Sequence, residues 1–325
     1  MPDQRVSSGC HDSPQRGAVV PLAARLSLAL ADIKLAHSVF ALPFAILAAA
    51  LAARPLDPLR LHLAKFALIV VCMVAARTFA MLVNRIADRR FDAANPRTAR
   101  RALASGALSL RDAAALAAAS AILFILACAG FLLVGDNLWP LVLAVPTLAL
   151  LSFYSFTKRF TAAAHLFLGL ALAASPVAAA IAVNPAVIGL AGAAPTSAGL
   201  AIFCLAAFVA LWVAGFDILY ALQDLDFDRN AGLHSIPAKL GPAAAAWTAR
   251  LAHAAAFAML LLAINAEPRL GALTAAAAAI VLAALIAEHA ILARRGLAGL
   301  PMAFFTLNGF ISLTLGALGV ADVLL

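Results

Sequence analysis

Oxygen-bearing side chains recur at helical spacing near the ends of two long apolar runs. They are Asn84, Asp88 and Asp92 in the first run and Asp217, Asp224 and Asp228 in the second. Carboxylates within a membrane are costly and usually mark a functional site. Amide and carboxylate oxygens are the ligands that hard divalent cations prefer. The pattern therefore predicts a Mg²⁺ site that holds a phosphate-bearing substrate.

Each group is predicted to form one polar helix face. Four-residue steps drift by only about 40° around an α-helix, so the first three side chains stack over two turns. Tyr220 lies beside the second group, whereas Asp226 points away from it. Like charges on one face need a counterion, which favours bound cations over a solvated helix end or a proton relay. Asp217 lies deeper in its run, so we expect it to contact substrate rather than metal.

Basic side chains follow these groups and could neutralise a phosphate ligand. Lys158 comes just after Tyr154, while Arg97 and Arg101 come after the first acidic group. Lys and Arg stabilise a departing diphosphate. We therefore predict that these four side chains bind it and that Lys158 takes part in catalysis. The alternative is that the cations are ordinary basic residues at the cytoplasmic ends of spans.

Two further cations lie inside apolar runs. Arg77 precedes Asn84 by seven residues and so lies on the same helix face. An arginine at that depth needs an anionic partner or a wet cavity, and both Asp217 and a substrate carboxylate are candidates for the partner. Lys34 could bind an acidic acceptor, or its side chain could extend to the membrane surface.

The histidines and cysteines do not form a recognisable site in the sequence. Three histidines are far apart and are expected to be structural, namely His165, His253 and His289. The role of His234 is left open. The four cysteines lack the spacing of a metal site or of a disulfide framework, and we expect them to be small buried residues.

The composition places the chain in a membrane. Its 325 residues are 65% hydrophobic and 12% charged, with a mean hydropathy of +1.02. Ala and Leu favour helices over the strands of a barrel. We predict an all-α, polytopic membrane protein, with a disordered tail over residues 1–21 and a transmembrane domain over 22–325. The nine predicted spans are 22–53, 60–92, 107–134, 138–157, 163–184, 196–225, 241–265, 270–293 and 300–325.

The distribution of Lys and Arg predicts the orientation. These residues gather after the even-numbered spans, which places the N-terminus and the loops near both acidic groups in the cytoplasm and the C-terminus outside. The net charge of +8 is dispersed over several loops, so no nucleic-acid partner is expected. An ion-coupled transporter would also combine spans with buried charges. Against it, the acidic groups converge on one membrane face and no repeat relates the two halves.

The paired motifs resemble those of the UbiA superfamily of intramembrane aromatic prenyltransferases. They read Asn84-x3-Asp88-x3-Asp92 and Asp217-x2-Tyr-Ala-x-Gln-Asp224-x3-Asp228. Segments 33–43, 154–169 and 232–237 add to the resemblance, which extends over about residues 28–325. The similarity is greatest to the 4-hydroxybenzoate polyprenyltransferase-like branch.

The resemblance implies a single nine-helix bundle around a central cavity, in a bacterial inner membrane. Two Mg²⁺ ions would bridge a polyprenyl diphosphate to Asn84, Asp88, Asp92, Asp224 and Asp228. The isoprenoid tail would lie in an apolar tunnel. The enzyme would prenylate the ring of a small aromatic acid, 4-hydroxybenzoate for ubiquinone biosynthesis. Asp217 and Tyr220 would orient this acceptor or stabilise the allylic cation, and Arg77 and Lys34 would contact it.

Two other acceptors fit parts of the pattern. Residues 222–229 with 234–237 also resemble a sub-branch linked to the futalosine route to menaquinone, which prenylates a naphthoate-type acid. A tetrapyrrole acceptor, as in the haem or chlorophyll-type branches, would need a wider opening.

Overall fold

The computed structural model describes residues 40–54, 57–190, 192 and 194–325. This part of the chain is helical and contains no strand. Its α-helices are α1 (Leu42–Ala52), α2 (Leu59–Ala94), α3 (Leu110–Gly135), α4 (Trp139–Thr157), α5 (Ala164–Val183), α6 (Ser197–Tyr220), α7 (Leu225–Asn230), α8 (Ile236–Leu240), α9 (Pro242–Ala266), α10 (Ala272–Arg295) and α11 (Asn308–Leu324). Lys34, the predicted tail and most of the first predicted span lie outside the described residues.

The described helices confirm an all-α membrane protein. Eight helical segments are long and apolar enough to cross a bilayer, and the shorter α1 ends the first predicted span. The prediction of about nine spans agrees with this arrangement. Most predicted spans match the helices to within a few residues; span 138–157, for example, corresponds to Trp139–Thr157.

Two segments are longer than the bilayer requires. The α2 helix has 36 residues and is therefore about 54 Å long. The hydrocarbon core is only about 30 Å thick, so the end of such a helix extends beyond it. The segment Ser197–Asn230 has 34 residues and combines α6, a short 3₁₀ turn and α7. The two acidic groups lie at the ends of these two long segments.

The α6 helix is the most deeply buried of the long segments and packs against α5 and α9. Its side chains Leu205, Phe208 and Trp212 are fully buried, and the Trp212 ring stacks on Phe208 with centroids 5.8 Å apart. Lipid tails are as apolar as leucine, so close packing rather than the hydrophobic effect stabilises helix pairs in a membrane. The abundant Ala and Gly residues allow that packing.

Gly169 shows how closely two helices approach near the cytoplasmic end that the sequence predicts. This residue of α5 lies against the backbone of Ala210 on α6, where a Cβ atom would overlap the Ala210 carbonyl oxygen. The close contact places the first turn of α5 beside the last turns of α6. Gly130 on α3 differs, because a Cβ atom there would meet only the flexible side chain of Leu68.

We expect Gly169→Ala to destabilise the protein by about 1–3 kcal/mol, because a backbone carbonyl cannot rotate away from the new methyl group. Gly130→Ala is the matched control and should be neutral or slightly stabilising, since alanine favours helices by up to about 1 kcal/mol over glycine. Thermal unfolding in detergent measures both. Equal midpoints for Gly169→Ala and the parent chain would contradict the close approach.

Candidate active site

A cavity of about 560 Å³ lies where α2, α4 and α6 end and α5 begins. It brings together all the described residues that the sequence predicts for the site. These are Arg77, Asn84, Asp88, Asp92, Arg97, Arg101, Tyr154, Lys158, Asp217, Tyr220, Asp224 and Asp228. The predicted convergence of the two acidic groups and the segment around Lys158 is therefore confirmed.

The cavity has an excess of positive charge. Seven basic side chains and five carboxylates line it, which leaves a formal surplus of two positive charges. Charge of one sign within low-dielectric walls concentrates ligands of the opposite sign. The cavity therefore favours an anionic ligand, even though its most conspicuous residues are acidic.

The first acidic group lies on one continuous helix, as predicted. The Nδ2 atom of Asn84 donates to Asp88 Oδ2 over 3.1 Å, and Arg159 lies 3.7 Å from the other Asp88 oxygen. The Asn84 side chain is thus oriented by its neighbour one turn away. The Asn84 oxygen accepts from Arg85 Nη1 over 3.3 Å. Asn84, Asp88 and Asp92 all line the same cavity.

The second acidic group does not lie on one regular helix, which corrects the prediction. The α6 helix ends at Tyr220, a 3₁₀ turn spans Ala221–Asp224, and α7 follows. The tighter turn changes the angle between successive side chains. Asp217, Asp224 and Asp228 nevertheless line the cavity, and Asp226 is exposed as expected.

Arginines contact the carboxylates that the sequence assigns to metal. Arg97 makes a two-pronged contact with Asp224, at 2.8 Å from Nε and 2.6 Å from Nη2. Arg101 Nη1 donates to Asp92 over 2.7 Å. Asn95, which the sequence reasoning missed, donates a further bond of 3.0 Å to Asp224. Its position in an Asn-Pro turn after the first acidic group was the available signal.

Lys158 is surrounded by carboxylates. Burial alone would lower the pKa of Lys158, but the surrounding negative charges outweigh that effect and raise it above its ordinary value. These charges belong to Asp217, Asp228, Asp224 and Asp88. Lys158 is therefore a cation at neutral pH. The backbone N–H of His234 donates to the Lys158 carbonyl over 2.6 Å, while the His234 side chain is exposed and does not line the cavity.

His165 contacts the site, which the prediction of a purely structural role missed. Its Nδ1 atom lies 2.7 Å from Asp217 Oδ2. Its Nε2 atom accepts the backbone N–H of Ile236 over 3.3 Å, so the geometry assigns the ring proton to Nδ1. The imidazole therefore donates to Asp217. The sequence could not identify this contact because 52 residues separate the two side chains.

Arg77 lies between two cavities. It does not form an ion pair with Asp217, which is one of the two partners that the sequence suggests, and its buried Nε atom has no hydrogen-bond partner among the described residues. Arg77 and Tyr154 line both the polar cavity and a second, largely apolar cavity of about 300 Å³. The two spaces thus adjoin at a cation and a phenol.

The donor set of the polar cavity fits a divalent cation. Asp228 is buried, and its Oδ2 atom has no hydrogen-bond partner among the described residues. Asn84, Asp88, Asp92, Asp224 and Asp228 could supply the oxygen ligands. In the described part of the chain, no three His, Cys, Asp or Glu side chains already form a compact metal-binding cluster. Arg97 and Arg101 pair with Asp224 and Asp92, so a cation held at those two carboxylates would compete with these arginines.

Known proteins resemble this chain over most of its length. The profile of the UbiA prenyltransferase family matches residues 41–314. The apo structure of a UbiA homolog from Aeropyrum pernix K1 has a TM-score of 0.75 and 35% identity, and the match covers 89% of this chain and 98% of that one. A UbiA homolog from Archaeoglobus fulgidus bound to GPP and Mg²⁺ has a TM-score of 0.66 and 18% identity, with 92% and 100% covered. At 18% identity, the similarity to the Archaeoglobus fulgidus protein shows a shared fold alone.

Curated relatives match a shorter region. A 4-hydroxybenzoate octaprenyltransferase of Nitrosomonas eutropha is 32% identical over 164 residues, which are 50% of this chain and 52% of the relative. The enzyme of that name from Francisella tularensis subsp. novicida is 36% identical over 163 residues, again 50% and 52%. The chain thus spans about half the length of the curated relatives it matches.

We expect Asp228→Asn to weaken Mn²⁺ binding in the presence of inorganic pyrophosphate, because it removes a charged oxygen that has no other partner. The loss should be at least about tenfold, the lower end of the effect of losing an outer-shell partner. Electron paramagnetic resonance of free Mn²⁺ measures it. Asp226→Asn, an exposed position two residues away, is the control and should bind like the parent chain. Equal affinities for all three proteins would contradict the assignment.

Proposed function

Because the chain belongs to the UbiA prenyltransferase family, we propose that it transfers a polyprenyl group from a polyprenyl diphosphate to the ring of a small aromatic acid. One observation carries the proposal: both acidic groups and Lys158 line one cavity, and an apolar cavity adjoins it. We favour 4-hydroxybenzoate as the acceptor, for which the curated relatives are named, with a naphthoate-type acid as the alternative. Family membership favours this enzyme over an ion-coupled transporter.

The diphosphate would bind between the acidic groups and the basic side chains. The residues that would hold Mg²⁺, two ions in our proposal, are Asn84, Asp88, Asp92, Asp224 and Asp228. The ions would supply positive charge that neutralises the diphosphate. Lys158 would contact a phosphate oxygen directly, since the surrounding carboxylates keep it protonated. As the bond between the allylic carbon and oxygen breaks, negative charge grows on the leaving group and its attraction to Lys158 increases.

Arg97 and Arg101 would exchange partners when the ligand binds. In the described structure these two arginines neutralise Asp224 and Asp92. With a metal ion held at these carboxylates, Arg97 and Arg101 would be available to phosphate, and each guanidinium group is suited to two-pronged contact with it. In this proposal the arginines neutralise Asp224 and Asp92 and also bind the diphosphate, together with Tyr154.

The acceptor would bind on the side of Asp217 and Tyr220. The ring carbon next to the phenol oxygen forms a bond to the allylic carbon as the diphosphate leaves with the electron pair of the broken C–O bond. The proton on the attacking ring carbon then passes to the released diphosphate. Asp217, whose carboxylate is oriented by His165, would orient the phenol or stabilise the allylic cation. Arg77, with its unpartnered Nε atom, is our candidate for the acceptor carboxylate. Lys34, which lies outside the described residues, stays a second candidate.

The apolar cavity would hold the isoprenoid tail. Its wall consists mainly of Ala, Leu, Val and Phe side chains from α2 to α5, with Arg77 and Tyr154 at the boundary. A long lipid tail explains why the reaction takes place in a membrane protein. An apolar wall also excludes water, which would otherwise convert the allylic cation to an alcohol. We propose a bacterial inner membrane, with the polar cavity on the cytoplasmic side.

Membranes that contain the chain should convert labelled farnesyl or longer diphosphates and an aromatic acid to a prenylated acid, identified by product mass. EDTA should stop the reaction and Mg²⁺ should restore it. Asp88→Asn and Asp224→Asn should each lower the rate by about 10²-fold or more, because charge on the leaving group loses its stabilisation. Asp226→Asn should retain the parent rate. No product with 4-hydroxybenzoate, naphthoates or other aromatic acids would overturn the proposed function.

His165→Leu should lower kcat/KM for the aromatic acid by about 10–100-fold, the range typical of lost supporting hydrogen bonds around a site. His165→Asn keeps a donor near the Nδ1 position and should recover part of that loss. His234→Ala is the control, since its side chain is exposed and only its backbone contacts Lys158. Parent kinetics for His165→Leu would show that Asp217 needs no such partner.

A further inference from the structure

A second set of polar side chains is buried in the bundle, outside the polar cavity. Glu288 of α10, Asn308 of α11 and Trp212 of α6 expose at most 1% of their surfaces. Polar groups at this depth in a membrane are expensive and need partners. Glu288 and Asn308 do not line either cavity described above, and the proposed chemistry does not use them.

Asn308 connects these side chains. Its Oδ1 atom accepts the indole N–H of Trp212 over 2.7 Å, and its Nδ2 atom donates to the backbone carbonyl of Ala303 over 3.1 Å. The Glu288 carboxyl lies next to the Asn308 side chain. The Glu288 Oε2 atom has no hydrogen-bond partner among the described residues. The Asn308 amide thus links α6 to the turn that precedes α11, with Glu288 of α10 beside it.

The carbonyl that Asn308 holds belongs to an unusual turn. Met302–Leu307 forms a π-helix immediately before α11. Such turns are rare and are frequently found at functional sites. The Asn308 side chain adds a hydrogen bond inside this turn, so it stabilises a conformation that the backbone alone does not favour.

The π turn forms one wall of the polar cavity. Its residue Phe304 packs on Tyr220 with ring centroids 4.1 Å apart, and on Phe216 at 5.2 Å. These three rings all line the cavity, on the side where Asp217 also lies. Offset and edge-to-face contacts between rings depend strongly on the geometry of the pair. An aromatic ligand beside this wall would therefore respond to a shift of the turn.

Trp212 is fixed from two directions. Asn308 accepts its side-chain N–H, and its backbone carbonyl lies 3.2 Å from His253 Nε2. His253 in turn lies 3.0 Å from His289, so these two histidines are paired and not isolated as the sequence suggested. Trp212 also packs edge-on against Phe216, at 5.2 Å. The network therefore reaches the cavity wall through both Phe216 and Phe304.

We propose that Asn308, supported by Glu288 and Trp212, is a positioning residue that fixes the π turn and thereby the Phe304–Tyr220 wall against which the ring of the aromatic acid binds. This inference rests on the proposed function. Among the described residues, no cation forms an ion pair with Glu288. In our proposal Glu288 therefore supports Asn308 through its polar atoms and not through its charge. A neutral amide of the same shape can therefore replace it.

The test compares Asn308→Leu, Glu288→Leu and Glu288→Gln with Leu315→Ala, a control that removes packing from a fully buried position of the same helix. Asn308→Leu and Glu288→Leu should raise KM for the aromatic acid about tenfold, within the up to about 10²-fold cost of misplaced groups. KM for the polyprenyl diphosphate and the Mg²⁺ dependence should change less than twofold. Glu288→Gln should behave like the parent chain. Leu315→Ala should lower the stability of the protein without raising KM for the aromatic acid selectively.

Hydrogen–deuterium exchange of a peptide over residues 300–312 supplies a readout that needs no catalysis. Asn308→Leu and Glu288→Leu should speed exchange of the π-turn amides at least fivefold, whereas Glu288→Gln should not. Parent acceptor KM or parent exchange in Asn308→Leu would overturn the positioning role. A parent chain that makes no prenylated acid would instead contradict the proposed function, and the exchange data would then decide whether the network holds the turn.

Discussion

Five carboxylates line one cavity at the end of an apolar bundle, and that concentration of negative charge is the constraint to which the rest of the site responds. Like charges in a low-dielectric region repel strongly unless cations oppose them. Lys158, Arg97 and Arg101 supply those cations from two different parts of the chain. The same cations give the cavity its affinity for an anion, so one set of charges serves both the stability of the protein and the binding of ligand.

The site is held together by contacts between distant segments. Two hydrogen bonds hold the loop between α7 and α8. The His234 N–H donates to the Lys158 carbonyl, and the Ile236 N–H donates to His165 Nε2. His165 then holds Asp217 on α6. Gly169 lets α5 approach α6 closely, and one turn earlier on α5 the His165 ring contacts Asp217. Hydrogen bonds therefore connect Lys158, the loop and Asp217, although these residues lie in three separate parts of the sequence.

A gradient of polarity runs through the molecule. The polar cavity meets the apolar one at Arg77 and Tyr154, and an aromatic wall of Phe216, Tyr220 and Phe304 closes another side. A substrate with a charged head and a long apolar tail fits such a boundary in only one direction. The buried hydrogen bonds behind the aromatic wall show that polar groups in this bundle are not confined to the cavity, and that irregular helix geometry is held by specific side chains.

The sequence by itself determined the fold class, the approximate spans and the two acidic groups, because hydrophobic length and helical spacing are local properties. It also indicated that Lys158, Arg97 and Arg101 lie near the acidic groups, since their positions after long spans are visible in the sequence. It could not determine partners. The contacts of His165 with Asp217 and of His253 with His289 join residues 52 and 36 positions apart, and only packing brings them together. The 3₁₀ turn at Ala221–Asp224 and the π turn before α11 were also not visible in the sequence, because helical spacing does not distinguish these turns from a regular helix and the contacts of the π turn join distant residues.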